Sequence, residues 1–442
     1  MSSKPRPPAS VTNFGLNLVG VFGALAAFYI LRNLHMSGPE AVFIVCFAGV
    51  IPIVLLDVLI LRVHRRDSTG IDWDRTHAPD VRRVATKLLG LAATVAPFAL
   101  CYWVFPEYGD WYGSFWNVLR RFGVGLVAIS IAYMWIVDGH LREPRDVYWQ
   151  VGRAVLGHPE DAKKADVANH FRGWTIKAFY LPLFIVFSHN QLNGILTYDL
   201  SNLQSTNMRL YHFLSEGIYA LDVLYATVGY ILSFRVLDTH LRSAEPTMFG
   251  WVVALECYSP FWNGMFARNY LHYEGIGFET WLAGNVDVRW IWAGAILICE
   301  LIYLLATFAF GVRFSNLTHR GILTNGPYRF TKHPAYIAKN ISWWLITLPF
   351  IPSHGWVDAI KWTLAMAGVS TIYFLRARTE ERHLSKDPTY VAYALWINEH
   401  GWLRFLGRIP LLKYKAPEPA AAEPTPVATA EPPPVADEPG PA

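Results

Sequence analysis

The chain has 442 residues, 53% hydrophobic and 16% charged, with a formal net charge of +4. A soluble domain carries about 25% charged residues, so this composition argues against one. No basic stripe is interleaved with aromatics, which argues against a nucleic-acid partner. The four cysteines, Cys46, Cys101, Cys257 and Cys299, lie apart in apolar segments without a CxxC pair, so neither a disulfide framework nor a metal site is expected.

Runs of 18 or more nearly uncharged apolar residues recur, each long enough to cross the hydrocarbon core of a bilayer. The expected fold is all-α: a polytopic integral membrane helical bundle of about ten transmembrane helices, followed by C-terminal amphipathic helices and a disordered tail. After a cytoplasmic N-terminus at 1–12, spans are predicted at about 13–31, 40–61, 88–105 and 122–138. The first span has no small-residue cleavage site and reads as a retained helix. A polar insert at 139–177 has room for a short amphipathic helix. Further spans are predicted at about 174–188, 211–234, 247–265 and 289–311, the third of these weak enough to be re-entrant. The last two, about 336–352 and 356–375, are joined by Pro352-Ser353-His354-Gly355 as a tight hairpin.

Lys and Arg concentrate after every second span, with seven basic residues between Arg62 and Lys87 and seven more between Arg142 and Lys177. Excess Lys and Arg marks the cytoplasmic side. The pattern therefore predicts a multi-pass protein of the inner (plasma) membrane with both termini cytoplasmic. Arg120 and Arg121 are discordant and are expected to snorkel. Asp57, Asp222 and Glu256 fall within spans and are expected to face the bundle interior, chiefly as structural hydrogen-bond partners.

Two polar clusters flank the terminal hairpin. The first runs from Thr324 to Tyr336. Asn325-Gly326-Pro327 reads as a turn, and Pro334 suits a first helical position. The residue before a proline is pushed out of the α region, which puts His333 at the cap. The second cluster runs from Arg376 to Leu384 and contains Arg378, Glu380 and Glu381. Free N–H groups at the start of a helix, with Arg329, Lys332 and His333 nearby, make an anion site. Carboxylates at the same face can pair with Arg376 or Arg378, or face a positive sulfur. Asp387-Pro388 then reads as a cap and start of one more helix. Residues 415–442, rich in Pro, Ala and Glu, read as a disordered tail.

Residues from about 318 to 393 resemble the isoprenylcysteine carboxyl methyltransferase and phospholipid N-methyltransferase superfamily of membrane enzymes. The residues that carry the likeness are Gly326, Tyr328, Arg329, Lys332, His333, Pro334 and Tyr336, then Glu380, Glu381, Leu384, Tyr390 and Tyr393. Lys332 stands where the family has Arg, which keeps the charge but loses the bidentate fork. Ile337-Ala338 stands where the family commonly has a small Gly.

The resemblance implies S-adenosylmethionine as cofactor and a membrane lipid or lipid-like acceptor that enters from the bilayer. Cofactor contacts are implied for Tyr328, Arg329, Lys332, His333, Pro334, Tyr336, Glu380 and Tyr390. Catalytic roles are implied for Arg378, as orienter of an anionic acceptor, and for Glu381. The methyltransferase-like domain is then 286–414, and residues 13–285 form a transmembrane region that shapes the acceptor pocket. Two other readings stay open: an NADPH-dependent membrane reductase on a related scaffold, and a non-catalytic transporter or assembly protein.

Overall fold

Asn13 opens the first helix by accepting a hydrogen bond at 3.2 Å from the N–H of Leu16, which satisfies a donor the helix cannot. That helix, α1 (Phe14–Asn33), packs on α2 (Pro39–Leu59). The approach is close because Gly20 has no side chain: a Cβ there would lie 2.3 Å from the Gly49 carbonyl oxygen. Small residues allow such backbone contacts between membrane helices. Then come α3 (Val81–Val104), α4 (Gly113–Asp138), the short α5 (Val147–Val155), α6 (Lys164–Thr197), α7 (Arg209–Ile231) and α8 (Met248–Leu255). The C-terminal part holds α9 (Val286–Phe310), α10 (Pro334–Thr347), α11 (Trp356–Leu384) and α12 (Pro388–His400). The computed structural model describes residues 6–75, 78–105, 109, 111–201, 203, 208–410 and 412–417.

The architecture is all-α and membrane-type, but the expected count of ten spans is not reached. Among the described residues, five helices are long and apolar enough to cross a membrane: α1, α2, α3, α4 and α9 with the turn that follows it. The predicted span at 247–265 is not one helix. The eight residues of α8 rise only about 12 Å, short of the roughly 30 Å core, and a separate turn of π-helix covers Trp262–Phe266. The 14-residue α10 is likewise short, about 21 Å, and ends where Leu348 turns left-handed ahead of Pro349. The amphipathic segment expected within 139–177 is present as α5, and α12 begins as predicted, with the Asp387 carboxylate accepting from the Thr389 N–H at 2.7 Å. Of the predicted disordered tail, 418–442 lie outside the described residues.

Basic loops from distant parts of the chain meet at one end of the bundle. Arg83 and Lys87 of α3 both pair with Asp138 of α4, at 2.6 and 2.9 Å. Arg66 pairs with Asp238, and Arg313 pairs with Asp57 at 3.2 Å. Asp222 accepts from Tyr303 at 2.5 Å and Thr307 at 2.6 Å, which binds α7 to α9. Two of the three intramembrane acids thus have structural partners, as expected. The discordant Arg121 pairs with Glu40, so its charge is compensated.

The N-terminal part is bolted to the C-terminal part where the two polar clusters lie. A two-stranded antiparallel ladder aligns Ser243 with His319 and Ala244 with Thr318. Residues ahead of α1 run beside the first polar cluster: Val11 N–H donates to the Ile322 carbonyl at 3.0 Å, and the Asn325 amide donates to the Thr12 carbonyl at 2.6 Å.

Candidate active site

The stretch 324–336 folds as its residue types dictate. Gly326 takes φ +54 and starts a short 3₁₀ turn through Arg329, a conformation that costs glycine little. His333, at φ −130 and ψ 57, lies outside the α region and is the N-cap of α10, with Pro334 first in the helix. No side chain caps this terminus, so the N–H groups of Ala335 and Tyr336 face the loop without an intrahelical partner.

The last turn of α11 comes to the same place. His333 Nε2 is 3.0 Å from Glu381 Oε1, and Tyr336 donates its hydroxyl hydrogen to Glu380 Oε2 at 2.8 Å. Lys332 Nζ is 2.5 Å from Glu381 Oε1, and Arg378 donates to Glu381 Oε2 at 2.8 Å. The pairing of Arg376 with Glu380 weighed from the sequence does not form, whereas that of Arg378 with Glu381 does. Burial pushes the Glu381 carboxyl up. The His333 hydrogen bond and charge and the Lys332 ammonium outweigh it and hold the group down at about 2. Glu381 is therefore ionised throughout the neutral range and is fully engaged by protein.

Residues 388–414 cover this cluster. Tyr393 donates to the Tyr328 carbonyl at 2.7 Å. Trp402 donates its N–H to the Phe330 carbonyl at 2.9 Å, and the Trp402 and Phe330 rings lie 4.2 Å apart. Lys332 Nζ sits 5.0 Å over the Tyr414 ring, a favourable cation–π contact.

Beneath the cover is a cavity of about 100 Å³. Five residues singled out from the sequence line it: Tyr328, Lys332, His333, Tyr336 and Glu380. The other five do not. Arg329 is exposed, Pro334 is buried in the helix start, and Tyr390 is packed between Tyr393 and Tyr414. Arg378 and Glu381 turn toward each other behind the wall.

Two cations that sequence reasoning did not place in the site line the cavity: Arg376, weighed there only as a partner for Glu380, and Lys339. Arg376 is buried, donates to Asn316 Oδ1 at 2.5 Å, and lies against the Tyr258, Tyr336 and Tyr373 rings. Lys339 lies over the Tyr303 and Trp343 rings at 5.1 and 5.2 Å, with no carboxylate in ion-pair range among the described residues. The signal was helical spacing. Arg376 is one turn before Glu380, and Lys339 is three residues after Tyr336, so each shares a face with a residue already chosen.

The donor set suits a zwitterion that carries a carboxylate and a positive centre. Uncapped N–H groups and Lys332 suit the first; Glu380 and the tyrosine faces suit the second. The cavity is smaller than the roughly 300–1,000 Å³ of a typical small-molecule site.

The matched family agrees with this geometry. Residues 288–386 match the isoprenylcysteine carboxyl methyltransferase (ICMT) family. The match contains nearly all of α9, the whole of α10 and α11, and both polar clusters, so it supplies most of the cavity wall, with Glu245, Ala254 and Tyr258 added from the N-terminal part. It stops short of α12 and leaves the N-terminal helices outside. No curated protein and no solved structure matches the chain.

Proposed function

We propose that the chain is an S-adenosylmethionine-dependent methyltransferase of the inner membrane that methylates an anionic lipid or lipidated acceptor at the cytoplasmic face, with both termini cytoplasmic. The observation that carries this reading is the convergence of His333 and Tyr336 with Glu380 and Glu381 around one cavity inside the family match. The gathering of basic loops at that same end supports the orientation.

Bound S-adenosylmethionine supplies an activated methyl group on a sulfonium. The chain's own residues hold and align. The α10 N-terminus and Lys332 take the carboxylate of the cofactor. Glu380, kept in place by the Tyr336 hydroxyl, faces its positive charge, and the tyrosine rings exclude water. Arg376 and Lys339 take the anionic end of the acceptor. In-line displacement gains most from alignment, and an ionised carboxylate acceptor needs no base. Glu381, held near 2 and ion-paired, is too weak a base for proton abstraction at neutral pH. Its role, with Arg378, is to position His333 and Lys332. Residues 286–414 then form the transferase domain, and 13–285 serve the acceptor.

Calorimetry on the detergent-purified chain tests the reading. S-adenosylhomocysteine should bind, and NADPH should not. Binding of NADPH alone removes the methyltransferase reading, and binding of neither points to a non-catalytic protein.

A further inference from the structure

A second void, larger than that cavity, lies mostly outside the family match. A cleft of about 2500 Å³ opens between α3, α4 and α6. Its middle is apolar, with Leu91, Val95, Phe98, Leu126 and Ile185 on its walls. Its polar end is at the membrane face where the basic loops meet. The acids there are largely spoken for: Asp138 binds Arg83 and Lys87, Asp146 lies 3.6 Å from Lys87, and Asp67 binds Arg142.

Five cations on the cleft wall have no such partner among the described residues: the exposed Arg145 and Lys163, Arg235, which donates to the Thr69 carbonyl, and the two less exposed to solvent, Lys177 and Arg320. Lys177 reaches only the Trp174 ring, at 5.4 Å, among the described residues. Arg320 is 6% exposed, donates to the Gly229 carbonyl and the Ser233 hydroxyl at 2.6 Å each, and leaves its buried Nε without a hydrogen-bond partner. No carboxylate lies in ion-pair range of either one among the described residues. Buried charge without compensation is costly, and an anion between these two side chains would offset that cost. An apolar trough walled by α3, α4 and α6, ending in cations without a carboxylate partner, matches one kind of occupant: a long-chain amphiphile with an anionic head.

The cleft also meets the cavity. Ser315 lines both. On the cleft side Tyr230 accepts from the Asn316 N–H at 2.8 Å; on the cavity side Asn316 Oδ1 accepts from Arg376. The partition is thus one residue thick, with Arg320 before it and Arg376 behind it.

We infer that the α3–α4–α6 cleft binds the acceptor as an anionic amphiphile, a long-chain carboxylate or lipid phosphate. Its tail lies along α3 and α4, its head lies at Lys177 and Arg320, and Ser315 is the threshold to the cavity. This rests on the methyl-transfer reading for its purpose but is tested separately.

The full chain is photolabelled with diazirine-bearing palmitic acid and phosphatidic acid, with diazirine phosphatidylcholine as the zwitterionic comparison. At least one anionic probe should mark peptides of α3, α4 and α6 more strongly than phosphatidylcholine does, and the stronger one identifies the head. Lys177→Met should lower that labelling about tenfold, as loss of one charged hydrogen bond does, and Ala92→Trp, which fills the trough, should lower it too. Labelling absent from these helices, equal for phosphatidylcholine, or unmoved by either variant overturns the inference. S-adenosylhomocysteine binding is measured on the same samples. If the variants keep it, they are folded, and a failed labelling result then leaves the methyltransferase reading intact. If the wild type lacks it, that reading falls while the labelling still decides the cleft.

Discussion

His333 and Glu381 are 48 positions apart in the chain and 3.0 Å apart in space, Nε2 to Oε1. One is the cap of a helix and the other lies in the last turn of its hairpin partner. Because Lys332 and Arg378 also bind Glu381, this carboxylate is the hub that holds two cavity-lining side chains, Lys332 and His333, in place.

Replacing Glu381 by Gln should destabilise the protein by about 3 kcal/mol at neutral pH, since a buried carboxylate held from 4.5 to about 2 loses that preference and leaves two cations uncompensated. The folded pKa is depressed. Its stabilisation is therefore complete above the unfolded value near 4.5 and is lost as pH falls through about 2. Thermal melts of wild type and Glu381→Gln should differ by a constant amount from pH 7 to 5 and converge below 4.5. A gap that instead closes between pH 7 and 6 would show that another group is titrating.

Tyr336→Phe removes one hydroxyl from Glu380 and little else. Affinity for S-adenosylhomocysteine should fall roughly fivefold, near 1 kcal/mol, with the melting temperature kept. Glu380→Gln should weaken S-adenosylmethionine more than S-adenosylhomocysteine, because only the former carries a sulfonium for the carboxylate to face. Calorimetry reads both, and unchanged affinity in both would remove Glu380 from the site.

Arg376 and Arg378 of α11 should part company. Arg376 lines the cavity and Arg378 does not. With tritiated S-adenosylmethionine and an extracted membrane-lipid fraction, Arg376→Met should raise the KM for acceptor about 10–100-fold, the worth of a charged hydrogen bond. Arg378→Met should act mainly on stability. The reverse pattern would restore Arg378 as the residue that orients the acceptor.

Gly229→Ala tests the partition. A Cβ at Gly229 would lie 2.4 Å from the Phe314 carbonyl oxygen and 2.8 Å from its Cβ. Neither neighbour is a flexible side-chain end, so backbone must shift, at a cost of about 1–3 kcal/mol. A melt should show the loss, and Ser315 should move with it. A neutral outcome would mean that the 314–316 segment yields easily.

Much of this protein is local in origin. Hydropathy alone identifies an all-α membrane protein, because a bilayer demands long apolar runs whose backbone groups bond within the segment. The cap at His333 and the start at Asp387 follow from proline and carboxylate chemistry within a few residues. The hairpin brings Glu380 and Glu381 to His333 and Tyr336, although its connection, 348–355, is longer than the four residues expected because α10 ends at Thr347. Contacts that close over long stretches of chain were beyond such reading. Neither the straps from 8–17 to 308–325, nor the ladder of Ser243 with His319, nor the placing of Arg376 behind Asn316 has a periodic signature. Length also misled: the apolar run at 247–265 folds as the eight-residue α8 and a separate π-helical turn rather than as one helix. Which charges are sealed in ion pairs and which face a void depends on the neighbours that arrive from elsewhere, so Arg378 is paired with Glu381 while Arg376 lines the cavity, and Lys177 and Arg320 are left without a carboxylate partner only once the bundle has formed.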